Sequence, residues 1–197
     1  MASNYSSQWE EVYRESSLRH KNRFLSTTVV SWMIQYYSYL DIEDRKKVKC
    51  LGIGCGWGNN LLFLYNEGFC VYGIDFSPTA VAHCNRLGLR SILGDVEKLS
   101  FKSNSIDFVV DRSSVQHNSR DRIWKIFSEI HRVLPIGGRL FSQMRMQHDE
   151  VFRGSILSEN DIRNLVDGFS SYELEQLIHI SGNGKTQKGS WLISCVK

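Results

Sequence analysis

The sequence predicts an α/β fold in which a doubly wound, mostly parallel sheet carries helices on both faces and closes with an antiparallel hairpin. Three observations lead there. From residue 48 onward, short apolar runs alternate with segments of helical period, the pattern of parallel strands joined by helical crossovers. Glycine or proline stands at most of the junctions. The last third ends in two strand-like runs separated by the glycine-rich SGNGKTQKG, which reads as a hairpin.

Taken in order, residues 1–47 read as helical and amphipathic, with aromatic clusters at Trp9/Tyr13 and Trp32/Tyr36/Tyr37, and the EDRKK run at 43–47 reads as a solvated break. The apolar run 48–53, bounded by glycines, is a buried parallel strand. A helix over 59–66 stops at Gly68, a suitable helix C-terminal glycine, and 70–74 is a second strand. Ser77-Pro78 supplies an N-cap followed by proline at the first helical position, opening a helix that runs to Gly88. Strands are expected at 90–93 and 106–110. Ile123, Ile126, Phe127, Ile130 and Val133 recur at helical spacing within 119–134, before Pro135 and Gly137-Gly138 end the run. A fifth strand spans 139–144. Ser158-x-x-Asp161 resembles a capping box that opens a helix to about Gly168. The hairpin over 172–180 and 190–196 brings the total to seven strands.

At 197 residues the chain is sized for one domain with a real core, and 42% hydrophobic with 23% charged residues is an ordinary globular composition. No run of about 18 apolar residues exists, so no membrane-spanning helix is expected. The polar, acid-bearing N-terminus fits neither a secretory signal nor a transit peptide, so a cytoplasmic location is expected. Five scattered cysteines (Cys50, Cys55, Cys70, Cys84, Cys195) form no C-x-x-C pair and read as free thiols. His20, His83, His131, His148 and His179 share no metal-binding spacing, so no metal is expected. A net charge of +3, with Lys and Arg spread out, shows no concentrated basic stripe of the kind dedicated nucleic-acid binders carry.

Ligands of such sheets bind beyond the carboxyl ends of the strands, near the switch in strand order. The strongest signal lies there: CLGIGCGWG, residues 50–58, directly after the first strand. Closely spaced glycines let backbone approach a ligand that a Cβ would exclude. The dinucleotide fingerprint G-x-G-x-x-G fits neither frame, because Asn59 or Trp57 stands at its last position, and no Lys-Ser/Thr pair follows the loop as in a P-loop. Asp75 ends the second strand, placed to accept from both hydroxyls of a ribose. Gly94-Asp95 ends the third, an acceptor suited to an adenine amino group.

With these residues in place, the sequence resembles the class I methyltransferases that use S-adenosylmethionine (SAM), in their small-molecule "type 11" branch. GIGCGWG resembles the family's glycine loop, GIDFSPTAV its ribose-binding strand end and GDVEKLSF its adenine segment. SIDFVVDRSSVQH is similar to its fourth motif, EIHRVLPIGGRL to its helix-to-strand-five signature, and WEEVY at 9–13 to the lid helix of several members. The closing SWLISCVK strand is similar in style to the tellurite-resistance and thiopurine methyltransferases. The resemblance implies a Rossmann-like single domain over 1–197, with a helical lid at 1–47, a SAM-binding core at 48–146, and a C-terminal helix and hairpin at 147–197. It implies SAM as cofactor, held by Gly54, Cys55, Gly56, Asp75, Phe76, Gly94, Asp95, Val96 and Asp111, with Trp9 and Tyr13 on the lid. The family usually has Asp or Glu where this chain has Gly52, an acid that helps hold the donor's methionine end. The backbone at Gly54 and Asp111, with Tyr13 or Arg14, would take over that task.

His117 is the candidate general base for a hydroxyl acceptor, or else a wall beside the adenine. Arg112 and Gln116 would orient a polar or anionic acceptor, or else be solvated surface, and His148 is a second candidate contact. Trp57 would face the sulfonium or cover the sheet edge. The expected partner is a small-molecule acceptor at O, N or S, with no membrane association and with the chain a monomer or homodimer. Nucleic-acid or protein methylation is the alternative. Base-amino methylation often uses [ND]-P-P-[YF] after the fourth strand, where this chain has DRSS, so nucleic acid is disfavoured. A non-catalytic SAM-binding partner protein, suggested by Gly52, is the third reading.

Overall fold

Buried strands whose alternate side chains face two different helical layers set the architecture. The computed structural model describes residues 4–15, 25–146, 154–180 and 187–197. The helices are α1 (Asn4–Glu15), α2 (Thr27–Tyr37), α3 (Ile42–Arg45), α4 (Asn59–Asn66), α5 (Pro78–Arg86), α6 (Arg120–Val133) and α7 (Glu159–Val166). The strands are β1 (Lys49–Ile53), β2 (Cys70–Asp75), β3 (Arg90–Leu93), β4 (Phe108–Arg112), β5 (Arg139–Arg145), β6 (Ser171–Ile180) and β7 (Gln187–Val196). They form one seven-stranded sheet in the order β3-β2-β1-β4-β5-β7-β6. The first five are parallel, and β7 runs antiparallel to both β5 and β6. This is the expected doubly wound, Rossmann-like sheet with its terminal hairpin, and β1 lies between β2 and β4 at the switch in strand order.

Side-chain alternation along the strands divides the core. Leu51, Val109 and Leu140 face a layer containing Ile123, Ile126, Phe127 and Ile130 of α6 and Ile162 and Val166 of α7. Cys50, Phe108, Val110 and Phe141 face the opposite layer, with Val29, Trp32 and Met33 of α2, Leu61 and Leu64 of α4, and Cys84 of α5. Trp32 anchors that second layer: its ring packs against Phe108 and Phe141, and its Nε1–H donates to Ser194 Oγ at 2.9 Å. The aromatic cluster of α2 is therefore core. α1, by contrast, lies against α5 at the carboxyl ends of the strands.

Local signals work as read at most junctions. Ser77 accepts from Ala80 N–H at the start of α5, and Ser158 and Asp161 form a full capping box at α7. Several boundaries differ, and β7 begins at Gln187, three residues before the expected start. The run 43–47 is not simply a solvated break: Asp41 caps the single turn α3, and Arg45 pairs with Glu67 at 2.7 Å. The fourth strand begins two residues later than the apolar run suggested, because Ser105 and Ile106 give their N–H groups to Val133 O at the end of α6. That shift brings Asp111 and Arg112 into β4.

Candidate active site at the strand tips

The glycine loop after β1 is shaped by what lies against it. Gly54 and Gly56 have φ of 57° and 51°, the left-handed region that side chains rarely adopt. A Cβ at 54 would collide with the Ser114 side chain, and one at 56 would stand 2.7 Å from Tyr13 Oη. Cys55 is half-buried, with its Sγ 3.8 Å from Cys84 Sγ.

Asp75, at the tip of β2, is buried and holds this loop in place. Its Oδ2 accepts from Gly56 N–H at 2.9 Å and its Oδ1 from Ser77 N–H at 3.0 Å. Burial pushes its pKa up, the Glu10 charge adds to this, and the backbone N–H bonds oppose it without cancelling it. A carboxylate offers about four lone-pair sites, so acceptor capacity remains for a vicinal diol. Phe76 beside it is half-buried.

At the tip of β3, Gly94 N–H donates to Asp75 O at 3.0 Å, which ties the second and third tips together. Asp95 Oδ1 accepts from Glu97 N–H at 3.0 Å and from Arg122 Nη2 at 2.7 Å. Burial alone would raise the Asp95 pKa, but the Arg122 guanidinium outweighs it and holds the carboxyl below its ordinary value. Val96 is buried against the sheet core.

At the tip of β4 the structure turns an expected ligand inward. The Asp111 side chain is fully buried. Its Oδ1 takes the N–H groups of Ser114 and Val115, at 2.9 and 3.1 Å, and its Oδ2 takes the Ser142 hydroxyl at 2.6 Å. Only its backbone is left to face a ligand. Burial pushes its pKa from 3.8 to about 6. The turn it holds includes Ser113 at φ 60° and carries Val115–His117, a short 3-10 turn. Gln116 is likewise 2% exposed rather than presented to solvent, with its Oε1 accepting Arg145 N–H at 2.6 Å. That bond sets the amide orientation, so Gln116 Nε2 faces His117 Nε2 at 3.4 Å and the imidazole proton belongs on Nδ1. Arg112 is exposed and lines a small cleft against Gly52–Cys55, Asn60 and Leu61.

α1 lies across these tips. Trp9 packs edge-on to His117 with ring centres 4.9 Å apart, and Tyr13 packs on Trp57 at 5.1 Å, which in turn meets His83 at 4.9 Å. Burial raises the Tyr13 pKa, with Asp75 adding to it, so the phenol stays protonated. The residue that latches the helix is Glu10, which the sequence did not single out. It accepts from Ser77 Oγ at 2.5 Å, Thr79 Oγ1 at 2.6 Å and Thr79 N–H at 3.3 Å. The partners are nearly seventy residues away, so no local pattern marks them. His148 lies outside the described residues.

The cluster thus offers two carboxylates on adjacent strand tips, a glycine loop packed closely under Ser114 and Tyr13, and an aromatic cover that meets His117 and His83. Residues 51–142 match a family model described as a methyltransferase domain. An 18S rRNA (guanine-N(7))-methyltransferase of Bos taurus is 30% identical over 123 residues, covering 56% of this chain and 44% of the relative. A probable SAM-dependent methyltransferase, TehB, of Haemophilus influenzae is 26% identical over 121 residues, covering 56% and 42%. The chain therefore matches less than half the length of these curated relatives. Among solved structures, a SAM-dependent methyltransferase from Archaeoglobus fulgidus aligns with a TM-score of 0.71 at 16% identity, covering 98% of this chain and all of that one. A Haemonchus contortus phospholethanolamine N-methyltransferase 2, in complex with phosphomonomethylethanolamine and S-adenosylhomocysteine, aligns with 0.73 at 18% identity, covering 98% and 57%. At such identities the structural likeness speaks for the fold, while the family model speaks for the domain. Residues 51–142 are thus similar to a methyltransferase domain, and the chain has the fold seen in SAM-dependent methyltransferases.

Proposed function

We propose that this protein transfers the methyl group of SAM to an oxygen, nitrogen or sulfur atom of a small-molecule acceptor. The observation that carries this reading is the lid. α1 lies over the strand tips, latched by Glu10 and walled by Trp9 and Tyr13, so a compact acceptor is covered where a polymer would have to displace the helix.

The residues fit the donor. Asp75 retains acceptor capacity for the ribose diol, and Asp95 stays ionised at the next tip for the base amino group. Bound there, SAM supplies an activated methyl group on a sulfonium centre. The protein's task is then mainly alignment, which is worth roughly 7–11 kcal/mol at best. Trp9 and Gln116 hold the His117 ring on two sides, and a hydroxyl acceptor that displaces the 3.4 Å Gln116 contact would meet His117 Nε2 as its base.

Radiolabelled methyl transfer to a metabolite extract and to bulk RNA tests the reading; label is expected in the extract. His117→Ala should lower turnover at least about tenfold with donor affinity unchanged. Unchanged turnover would leave the imidazole a wall. An RNA acceptor is the second reading, favoured by the Bos taurus rRNA enzyme among the relatives; label in RNA alone would establish it over the first.

A further inference from the structure

We propose that Cys55 and Cys84 form a reversible thiol–disulfide pair, whose oxidation by hydrogen peroxide loosens the glycine loop's hold on the donor. The pairing stands on geometry; its effect on the donor rests on reading the site as a SAM site.

The two thiols are 29 residues apart in sequence, yet their Sγ atoms lie 3.8 Å apart, one on the glycine loop and one on α5. The other three cysteines are placed differently. Cys50 pairs across the sheet with Val71 and Cys70 with Lys49, so those two side chains leave opposite faces. Cys195 stands on β7 between Leu140 and Tyr172. Two glycines make room for the pair. A Cβ at Gly73 would stand 3.1 Å from Cys55 Sγ, and one at Gly58 would stand 2.9 Å from Cys84 Sγ. Cys84 is buried, while half-buried Cys55 gives the pair its access to solvent. The hydrogen bond between them lowers the Cys84 thiol and raises Cys55, which favours the nucleophilic thiolate at Cys84.

Oxidation consumes one hydrogen peroxide. One sulfur, as its thiolate, attacks a peroxide oxygen; the O–O bond breaks, hydroxide leaves and a sulfenic acid forms. The second thiol's sulfur then displaces hydroxide from the sulfenic sulfur, which forms the S–S bond. The two hydroxides take up the two thiol protons, so two waters leave and the sulfurs have lost two electrons to peroxide.

Closing the bond brings the sulfurs to about 2.05 Å. Cys55 does not move alone, because its N–H donates to Ile74 O at 3.1 Å and its O accepts Gly58 N–H at 2.8 Å. Gly56 O loses the Cys84 S–H that it accepts at 3.3 Å in the thiol form. Gly54 and Gly56 stand where backbone must approach a ligand closely, and Tyr13 of α1 packs on Gly56. The loop therefore leaves the arrangement that Asp75 sets through Gly56 N–H.

The reduced full chain, treated with hydrogen peroxide, would be digested with chymotrypsin and its peptides read by mass spectrometry. The peptide ending at Trp57 should be joined to the one beginning at Ser77, and dithiothreitol should separate them. Calorimetry should show S-adenosylhomocysteine binding at least about tenfold more weakly after oxidation, with affinity restored by dithiothreitol. By reciprocity, saturating S-adenosylhomocysteine should raise the pair's reduction potential in glutathione buffers, by about 30 mV for a tenfold difference. Cys84→Ser keeps a donor for Gly56 O, and should bind as the reduced native chain does and ignore peroxide. Cys55→Ser should likewise give no joined peptides. A peroxide-treated native chain without that cross-link would overturn the inference, as would a cross-link that leaves affinity unchanged. An equal loss of affinity in peroxide-treated Cys84→Ser would overturn it too, by tracing the loss to other groups. No binding to the reduced native chain would instead sink the SAM reading, and the coupling with it.

Discussion

Two aspartates of similar standing in the sequence have different tasks in the structure. Asp75 keeps open lone pairs while its bonds to Gly56 and Ser77 hold the loop. Asp75→Ala should weaken S-adenosylhomocysteine binding by about 1–2 kcal/mol or more, since charge-assisted hydrogen bonds are lost; an unchanged dissociation constant by calorimetry would remove Asp75 from the site. Asp111 instead supports the turn beneath His117, with its pKa raised to about 6 by burial. Between 3.8 and about 6 the folded state therefore binds more protons than the unfolded chain, so this residue's contribution makes stability fall as pH rises through that window. Asp111→Asn keeps an acceptor for the two N–H groups and carries no charge. Urea midpoints of the variant should vary less with pH across the window than those of the native protein, by up to roughly 2–3 kcal/mol; parallel curves would count against that account.

At the scale of elements, α1 is held mostly by its own site-facing residues. Glu10 is the latch: burial would raise its pKa, but hydrogen bonds from Ser77 and Thr79 outweigh it and lower it. The latch is therefore at full strength above the ordinary glutamate range and weakens as pH falls through the lowered value. Glu10→Ala should accelerate amide exchange in α1 and the release of S-adenosylhomocysteine, each about several-fold. Exchange confined to its native rate would mean that Trp9 and Tyr13 alone keep the helix down.

Across the whole molecule, the hairpin is part of the core rather than an appendage. β7 hydrogen-bonds to β5 on one side and β6 on the other, and Ile193, with no exposure, sits in the cluster that contains α6 and α7. Trp191 Nε1–H also donates to Leu157 O at 3.1 Å, binding the strand to the segment before α7. Ile193→Ala should destabilise the protein by about 2–5 kcal/mol, and the loss should reach the strand tips as well as the hairpin. Denaturation followed by tryptophan fluorescence and by far-ultraviolet dichroism should give coincident midpoints; separated ones would mean that the hairpin unfolds by itself.

The sequence by itself determined the strand–helix alternation, the caps of α5 and α7, the glycine loop and the order of acids along the strand ends. These rest on periodicity and on contacts within a few residues, which a linear pattern records. It also placed Trp9 and Tyr13 on one helix face, but it could not tell that the aromatic cluster of α2 belongs to the core while that of α1 covers the tips. Only the tertiary structure decided that Asp111 and Gln116 turn inward, because their partners Ser142 and Arg145 lie on β5, about thirty residues away. The same holds for Glu10 reaching Ser77 and Thr79, and for Arg112 and Asn60 sharing one cleft. Each depends on how separate elements dock, and docking is set by the packing of whole faces, which no single residue's neighbours along the chain encode.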